Sequence, residues 1–92
     1  MLYPLFLKLA GRDVLVVGAG PIGTSKARSL VEAGARVTVV APEAEPELRE
    51  LAAAGALTLQ ARPFADADVD GAWVVVASAT PEVNRAVAAA AE

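Results

Sequence analysis

The chain has 92 residues, a formal net charge of −3 and a hydrophobic fraction of 55% with few aromatics. That is the length of one domain with a modest core of small side chains, and it suits an α/β layer better than an aromatic-rich β-sandwich. The eight Lys and Arg residues are scattered, so no basic stripe marks a nucleic-acid partner. No apolar run approaches the ~18 residues needed to span a bilayer. Without Cys or His, disulfides, thiolate nucleophiles, imidazole bases and the usual zinc or iron ligand sets are excluded. Proton transfer falls to Asp, Glu, Lys or Tyr.

The opening residues carry no basic n-region, long apolar h-region or small-residue cleavage site, and a cytoplasmic protein is expected. Leu5 to Leu9 alternates and predicts a short strand. Gly11-Arg12-Asp13 then turns the chain into a first central strand at about Val14–Val17. That run of apolar residues leads directly into Gly18-x-Gly20-x-x-Gly23 and a helix-compatible stretch. Strand, glycine turn and helix in this order form the dinucleotide-binding fingerprint. Gly18 permits the turn, Gly20 lets backbone amides approach a pyrophosphate, and Gly23 lets the helix lie close to the sheet. An anion would sit on the helix N-terminus, where Pro21 forfeits an N–H that lacks an intrahelical partner. The alternative is a structural turn with no ligand.

The first helix is expected over Pro21–Ala33, with Gly23, Ala27, Leu30 and Val31 inward and Gly34 as its stop. Lys26 and Arg28 read as solvated helix charges. Arg36–Ala41 is the second strand, joined to the first by a crossover of βαβ length. A dinucleotide site usually has a carboxylate at the end of this strand for the ribose hydroxyls. Here Ala41 is followed by Pro42 and Glu43, so the acid is absent or displaced by two residues. Glu43, Glu45 and Glu47 would repel a 2′-phosphate, which favours NAD over NADP. Glu45 and Glu47 also suit a helix N-terminus.

Further on, Pro46–Ala54 predicts a helix with Leu48, Leu51 and Ala52 inward, and Leu57–Gln60 a third strand. Pro63–Gly71 reads as a solvated connection pinned by Phe64 and Val69. Its alternate aspartates lack the glycine and terminal glutamate of a calcium loop. Trp73–Ala79 is a fourth strand whose apolar run predicts cover on both faces. The last helix starts at Pro81 behind Thr80 as N-cap. These elements predict a single Rossmann-like NAD(P)-binding domain over residues 1–92, with a parallel sheet of about four strands in the order 3-2-1-4 and helices on both faces. The ligand crevice then falls between strands one and four, with Gly18 to Ile22 and Ala77 to Thr80 on its two lips. With the end of strand two included, the expected cofactor-binding residues are Gly18, Ala19, Gly20, Pro21, Ile22, Gly23, Ala41, Pro42, Glu43, Ala79 and Thr80. Ser78 or Thr80 could hydrogen-bond a cofactor, or serve as a core hydroxyl and a helix cap.

Several longer runs carry a family resemblance. Tyr3-Pro4-Leu5-Phe6-Leu7-Lys8-Leu9-x-Gly11-Arg12, Lys26-Ala27-Arg28, Leu30 to Glu43 and Pro81-Glu82-Val83-Asn84-Arg85 resemble the N-terminal module of siroheme synthase, the precorrin-2 dehydrogenase and sirohydrochlorin ferrochelatase family. The resemblance implies oxidation of the tetrapyrrole precorrin-2 to sirohydrochlorin with NAD as hydride acceptor. It also implies ferrous iron insertion in bifunctional members and a homodimer in the full-length form. Family cofactor contacts carry over to Pro21, Ile22, Pro42 and Glu43, and the family's Ala-Pro accounts for the missing carboxylate. Ala77-Ser78-Ala79-Thr80-Pro81 is shorter than the family pattern. The catalytic aspartate of the family lies on a following strand, and none of Asp13, Asp66, Asp68 or Asp70 matches it. No catalytic residue is assigned, and this chain alone is expected to be inactive. The alternative function is a non-enzymatic nucleotide-sensing or assembly module.

Overall fold

The computed structural model describes residues 9–91. Four strands form one parallel sheet: β1 (Asp13–Val17), β2 (Arg36–Ala41), β3 (Thr58–Ala61) and β4 (Val74–Ala77). Their order is β3-β2-β1-β4, as the winding argument predicts. Helix α1 (Pro21–Glu32) joins β1 to β2, α2 (Pro46–Ala53) joins β2 to β3, and α3 (Pro81–Ala91) follows β4. A short 3-10 helix at Asp66–Val69 lies between β3 and β4.

The βαβ units begin with residues that prefer those states. Valines dominate β1, β2 and β4, and β-branched side chains fit a pleated surface. Pro opens each of the three helices, where a missing N–H costs no intrahelical bond. Gly34 closes α1 at a φ of +86°, a conformation that burdens any residue with a Cβ. There the Ala35 N–H reaches the Leu30 carbonyl and the Gly34 N–H that of Val31, a Schellman closure. The same pair of bonds ends α2 at Gly55.

Helices cover both faces, unequally. On one, Val14, Val16, Val37 and Val39 pack with Ala27 and Leu30 of α1 and Leu48 of α2. On the other, Leu15, Val17 and Val40 pack with Val87 of α3, with Phe64 and Val69 of the β3–β4 connection against them. Phe64 and Val69 thus pin the connection as expected. Within α1 the inward set is Gly23, Thr24, Ala27 and Leu30, with Val31 half-buried.

Two expectations change. Of the proposed strand Leu5–Leu9, residues 5–8 lie outside the described residues; Leu9 is helical and buried in the larger core. The fourth strand is shorter than Trp73–Ala79, and it is not covered on both faces. Its valines are half-buried, Ala77 is exposed and Trp73 is 47% exposed. The reason is its place at the edge of the described sheet, with a strand neighbour on one side alone among the described residues.

Register brings the functional ends level. Val17 lies beside Val40 on one side and Ala77 on the other. The loops after β1, β2 and β4 therefore open at one edge of the sheet.

Candidate functional site

The glycine turn forms the floor of the site. The Gly18 N–H continues the sheet by donating to the Val40 carbonyl at 3.0 Å, and its φ is +112°. A Cβ there would stand 2.5 Å from the Ser78 carbonyl oxygen. At Gly23 a Cβ would overlap the Gly18 carbonyl and meet the Ser78 hydroxyl at 2.9 Å. Both glycines are demanded by the protein's own packing, Gly18 against the end of β4 and Gly23 chiefly against the glycine turn itself.

Gly20 differs. Its backbone is extended at φ −79° and ψ −166°, and a Cβ there would meet nothing within 4 Å. Neither backbone strain nor a protein neighbour calls for glycine. The space above it is open, as a cradle for a closely approaching ligand requires.

Gly20 is also the N-cap of α1 and offers no side chain to the first-turn amides. Its carbonyl accepts from the Thr24 N–H at 2.8 Å, while the Thr24 hydroxyl donates to the Ala19 carbonyl at 3.4 Å. The first turn of α1 holds no acid, whereas α2 has Glu47 and α3 has Glu82. The positive end of the α1 dipole is thus uncompensated by side chains and faces the groove.

An open groove of about 390 Å³ runs over this floor, lined by Gly18, Ala19, Gly20, Ala41, Pro42, Glu43, Ser78, Ala79 and Thr80. That volume lies within the range of about 300–1,000 Å³ common for small-molecule sites. Eight of the eleven residues expected at the site line it. Gly23 is buried below the floor, Pro21 is exposed at the start of α1, and Ile22 is 66% exposed beside the turn. The β2 lip is tied to the turn by the Glu45 N–H, which donates to the Ala19 carbonyl at 3.4 Å.

The hydroxyls of the β4 lip are engaged within the protein. Ser78 Oγ donates to the Val17 carbonyl at 3.2 Å, and Thr80 Oγ1 accepts from the Val83 N–H at 3.3 Å as the cap of α3. Asn84 is the residue that sequence reasoning left without a role. Its Oδ1 accepts from the Ala79 N–H at 3.0 Å and its Nδ2 donates to the Ala79 carbonyl at 3.4 Å. These bonds fix the lip. The available signal was an Asn one turn into a helix after a capping Thr, able to reach back over the helix start.

Charges surround the groove more than they line it. Glu43 is its one titratable side chain among the described residues. Arg28 is not merely a solvated helix charge: its Nη1 donates to Glu47 Oε2 at 2.6 Å, bridging α1 and α2. Away from the groove, Arg62 grips Asp68 through Nη1 and Nη2, the two terminal nitrogens of its guanidinium. These hydrogen bonds hold the Asp68 carboxyl below its ordinary range, with the Ala65 N–H adding to the effect. No helix among the described residues is long and apolar enough to cross a membrane.

Residues 5–92 match a protein-family model described as "Putative NAD(P)-binding". The chain is 48% identical over 85 residues to siroheme synthase 3 of Aeromonas hydrophila, an alignment that covers 91% of this chain and 18% of that protein. It is 47% identical over 90 residues to siroheme synthase of Ectopseudomonas mendocina, covering 97% and 19%. The chain thus spans about a fifth of the length of these curated relatives. Among solved structures it is similar to SirC, precorrin-2 dehydrogenase, with a TM-score of 0.85 and 34% identity over 95% of this chain and 44% of that one.

Proposed function

Since the chain belongs to this NAD(P)-binding family, we propose that it is the NAD-binding part of a precorrin-2 dehydrogenase, which oxidises precorrin-2 to sirohydrochlorin in siroheme biosynthesis. The observation that carries the cofactor reading is Gly20. It is a glycine that the fold does not require, set at an uncompensated helix N-terminus on the floor of a groove. The relatives named siroheme synthase and precorrin-2 dehydrogenase support the substrate class.

In this reading the amides of the glycine turn and of the first turn of α1 receive the pyrophosphate. Ala41, Pro42 and Glu43 border the adenosine ribose, and Ile22, Ala79 and Thr80 border the nicotinamide side. NAD bound there supplies the hydride acceptor. The chain's own residues bind and orient it. Glu43 stands where a 2′-phosphate would be repelled, which favours NAD over NADP. With Glu43 the sole titratable lining residue described, proton transfer and the receipt of a polycarboxylate substrate are assigned to other parts of the full-length, homodimeric enzyme. Iron insertion is a further activity expected of that form.

Titration calorimetry of the chain with NAD, NADP and AMP tests the cofactor reading. Saturable heat for NAD, with weaker binding of NADP, is expected; no heat above dilution for any of the three overturns it. NADH formation from precorrin-2 by the full-length protein, and none by this chain alone, is the matching outcome for the reaction.

A further inference from the structure

Helices α1 and α2 lie on the same face of the sheet, begin at the same edge, and are joined by the Arg28–Glu47 ion pair. Its position follows from the loops above it. Helix α1 starts at the glycine turn, and α2 starts directly after the Pro42–Glu45 segment, which is itself bonded to that turn through Glu45 and Ala19. The pair therefore sits behind the seam where the glycine turn meets the end of β2. With a pyrophosphate on the turn, that seam is the ribose end of a dinucleotide site.

Four other basic side chains are directed elsewhere. Lys26 borders the far flank of α1 beside β4, Arg12 stacks on Trp73 at 5.0 Å, Arg36 pairs with Asp13 at the opposite edge of the sheet, and Arg62 holds Asp68. Arg28 is thus a guanidinium between the two helices that flank the ribose seam, and Glu47 occupies it. Both side chains are nearly half exposed, at 49% and 42%. A pair so exposed adds little to stability. Its consequence for phosphate recognition is larger, because a planar guanidinium is the preferred partner of a ribose 2′-phosphate.

We propose that Glu47 is a specificity-determining positioning residue: by holding the Arg28 guanidinium it withholds the cation that a 2′-phosphate needs, so the groove favours the unphosphorylated dinucleotide. This rests on the dinucleotide reading of the groove and adds to it a mechanism of selection. Glu43 repels the phosphate by its own charge. Glu47 acts through Arg28.

The test compares dissociation constants for NAD and NADP, with a melting temperature for each protein, in the wild type and in Glu47→Ala, Glu47→Gln, Arg28→Ala and the double variant Arg28→Ala/Glu47→Ala. In Glu47→Ala, NADP binding tightens on the order of tenfold, while NAD binding stays within about threefold. Glu47→Gln keeps the side-chain volume and shifts the ratio in the same direction by less. The double variant returns the NADP-to-NAD ratio to that of the wild type. A purely structural pair would change the melting temperature and leave the ratio alone, and that result overturns the proposal. So does a gain in NADP binding that survives removal of Arg28, since Glu47 would then act by its own charge. If the wild type binds neither dinucleotide, the reading of the groove itself falls. If it binds NAD and the Glu47 variants leave the ratio unchanged, only the positioning role falls.

Discussion

Three glycines in one motif carry two different kinds of constraint. Gly18 is squeezed by the Ser78 backbone, so a methyl group there forces the turn away from the end of β4; Gly23 is squeezed first by the Gly18 carbonyl and then by the Ser78 hydroxyl, so a methyl group there forces α1 off the turn. Gly20 has free space and an ordinary backbone. Gly23→Ala should therefore cost about 1–3 kcal/mol of stability through overpacking, measured by urea denaturation. Gly20→Ala should change stability by less than about 1 kcal/mol, the loss of a permissive N-cap being offset by a less flexible unfolded chain. Its NAD affinity should nevertheless fall on the order of tenfold, because the methyl stands where the pyrophosphate approaches. A Gly20→Ala protein that binds NAD as the wild type does would remove the main support for the cofactor reading.

Among the elements, the β3–β4 connection is the one without a full helix or strand. It is held by Phe64 and Val69 below and by the Arg62–Asp68 clamp above, where Arg62 Nη1 reaches Asp68 Oδ2 at 2.9 Å and also the Pro63 carbonyl at 3.1 Å. The Asp68 side chain is only 11% exposed, and its carboxyl is held low chiefly by the bonds from Arg62. A carboxylate with a lowered folded-state pKa contributes stability that is fully present above its unfolded value of about 3.9 and is lost as the pH falls through the folded value. Asp68→Asn should accordingly melt below the wild type at pH 7, and the gap should shrink as the pH drops below about 4. Melting curves from pH 7 to pH 2.5 check this. A gap that is constant with pH would mean that the clamp acts through shape and not charge.

For the whole molecule, the two faces of the sheet are unequal. One carries α1 and α2 over twelve buried residues; the other carries α3 and the connection over four. In α3 Val87 is the one buried residue among those described, and β4 beside it is a half-buried edge. Local opening follows sparse apolar contact. The backbone amides of α3 should exchange with solvent earlier than those of β1 and β2, as read by hydrogen–deuterium exchange with fragment mass analysis. Equal protection across both faces would contradict this. The β4 lip of the groove belongs to the weaker face, so bound NAD should slow exchange there more than in β2.

Much of this architecture was legible from residue order. Valine-rich runs, glycine and proline punctuation and crossover lengths are local signals, and they suffice for four parallel strands in the order 3-2-1-4 with a glycine turn at the crevice. Even the lining was largely readable, because loops after parallel strands must gather at one edge. What only the tertiary structure decided depends on pairs distant in sequence. The separate burdens of Gly18, Gly20 and Gly23 follow from where Ser78 lies, 60 residues beyond Gly18 in the chain. The engagement of the Ser78 and Thr80 hydroxyls, the Asn84 grip on Ala79 and the capture of Arg28 by Glu47 likewise depend on side-chain direction across packed elements. Periodicity specifies which face a residue occupies; it does not specify which neighbour its polar atoms will meet there.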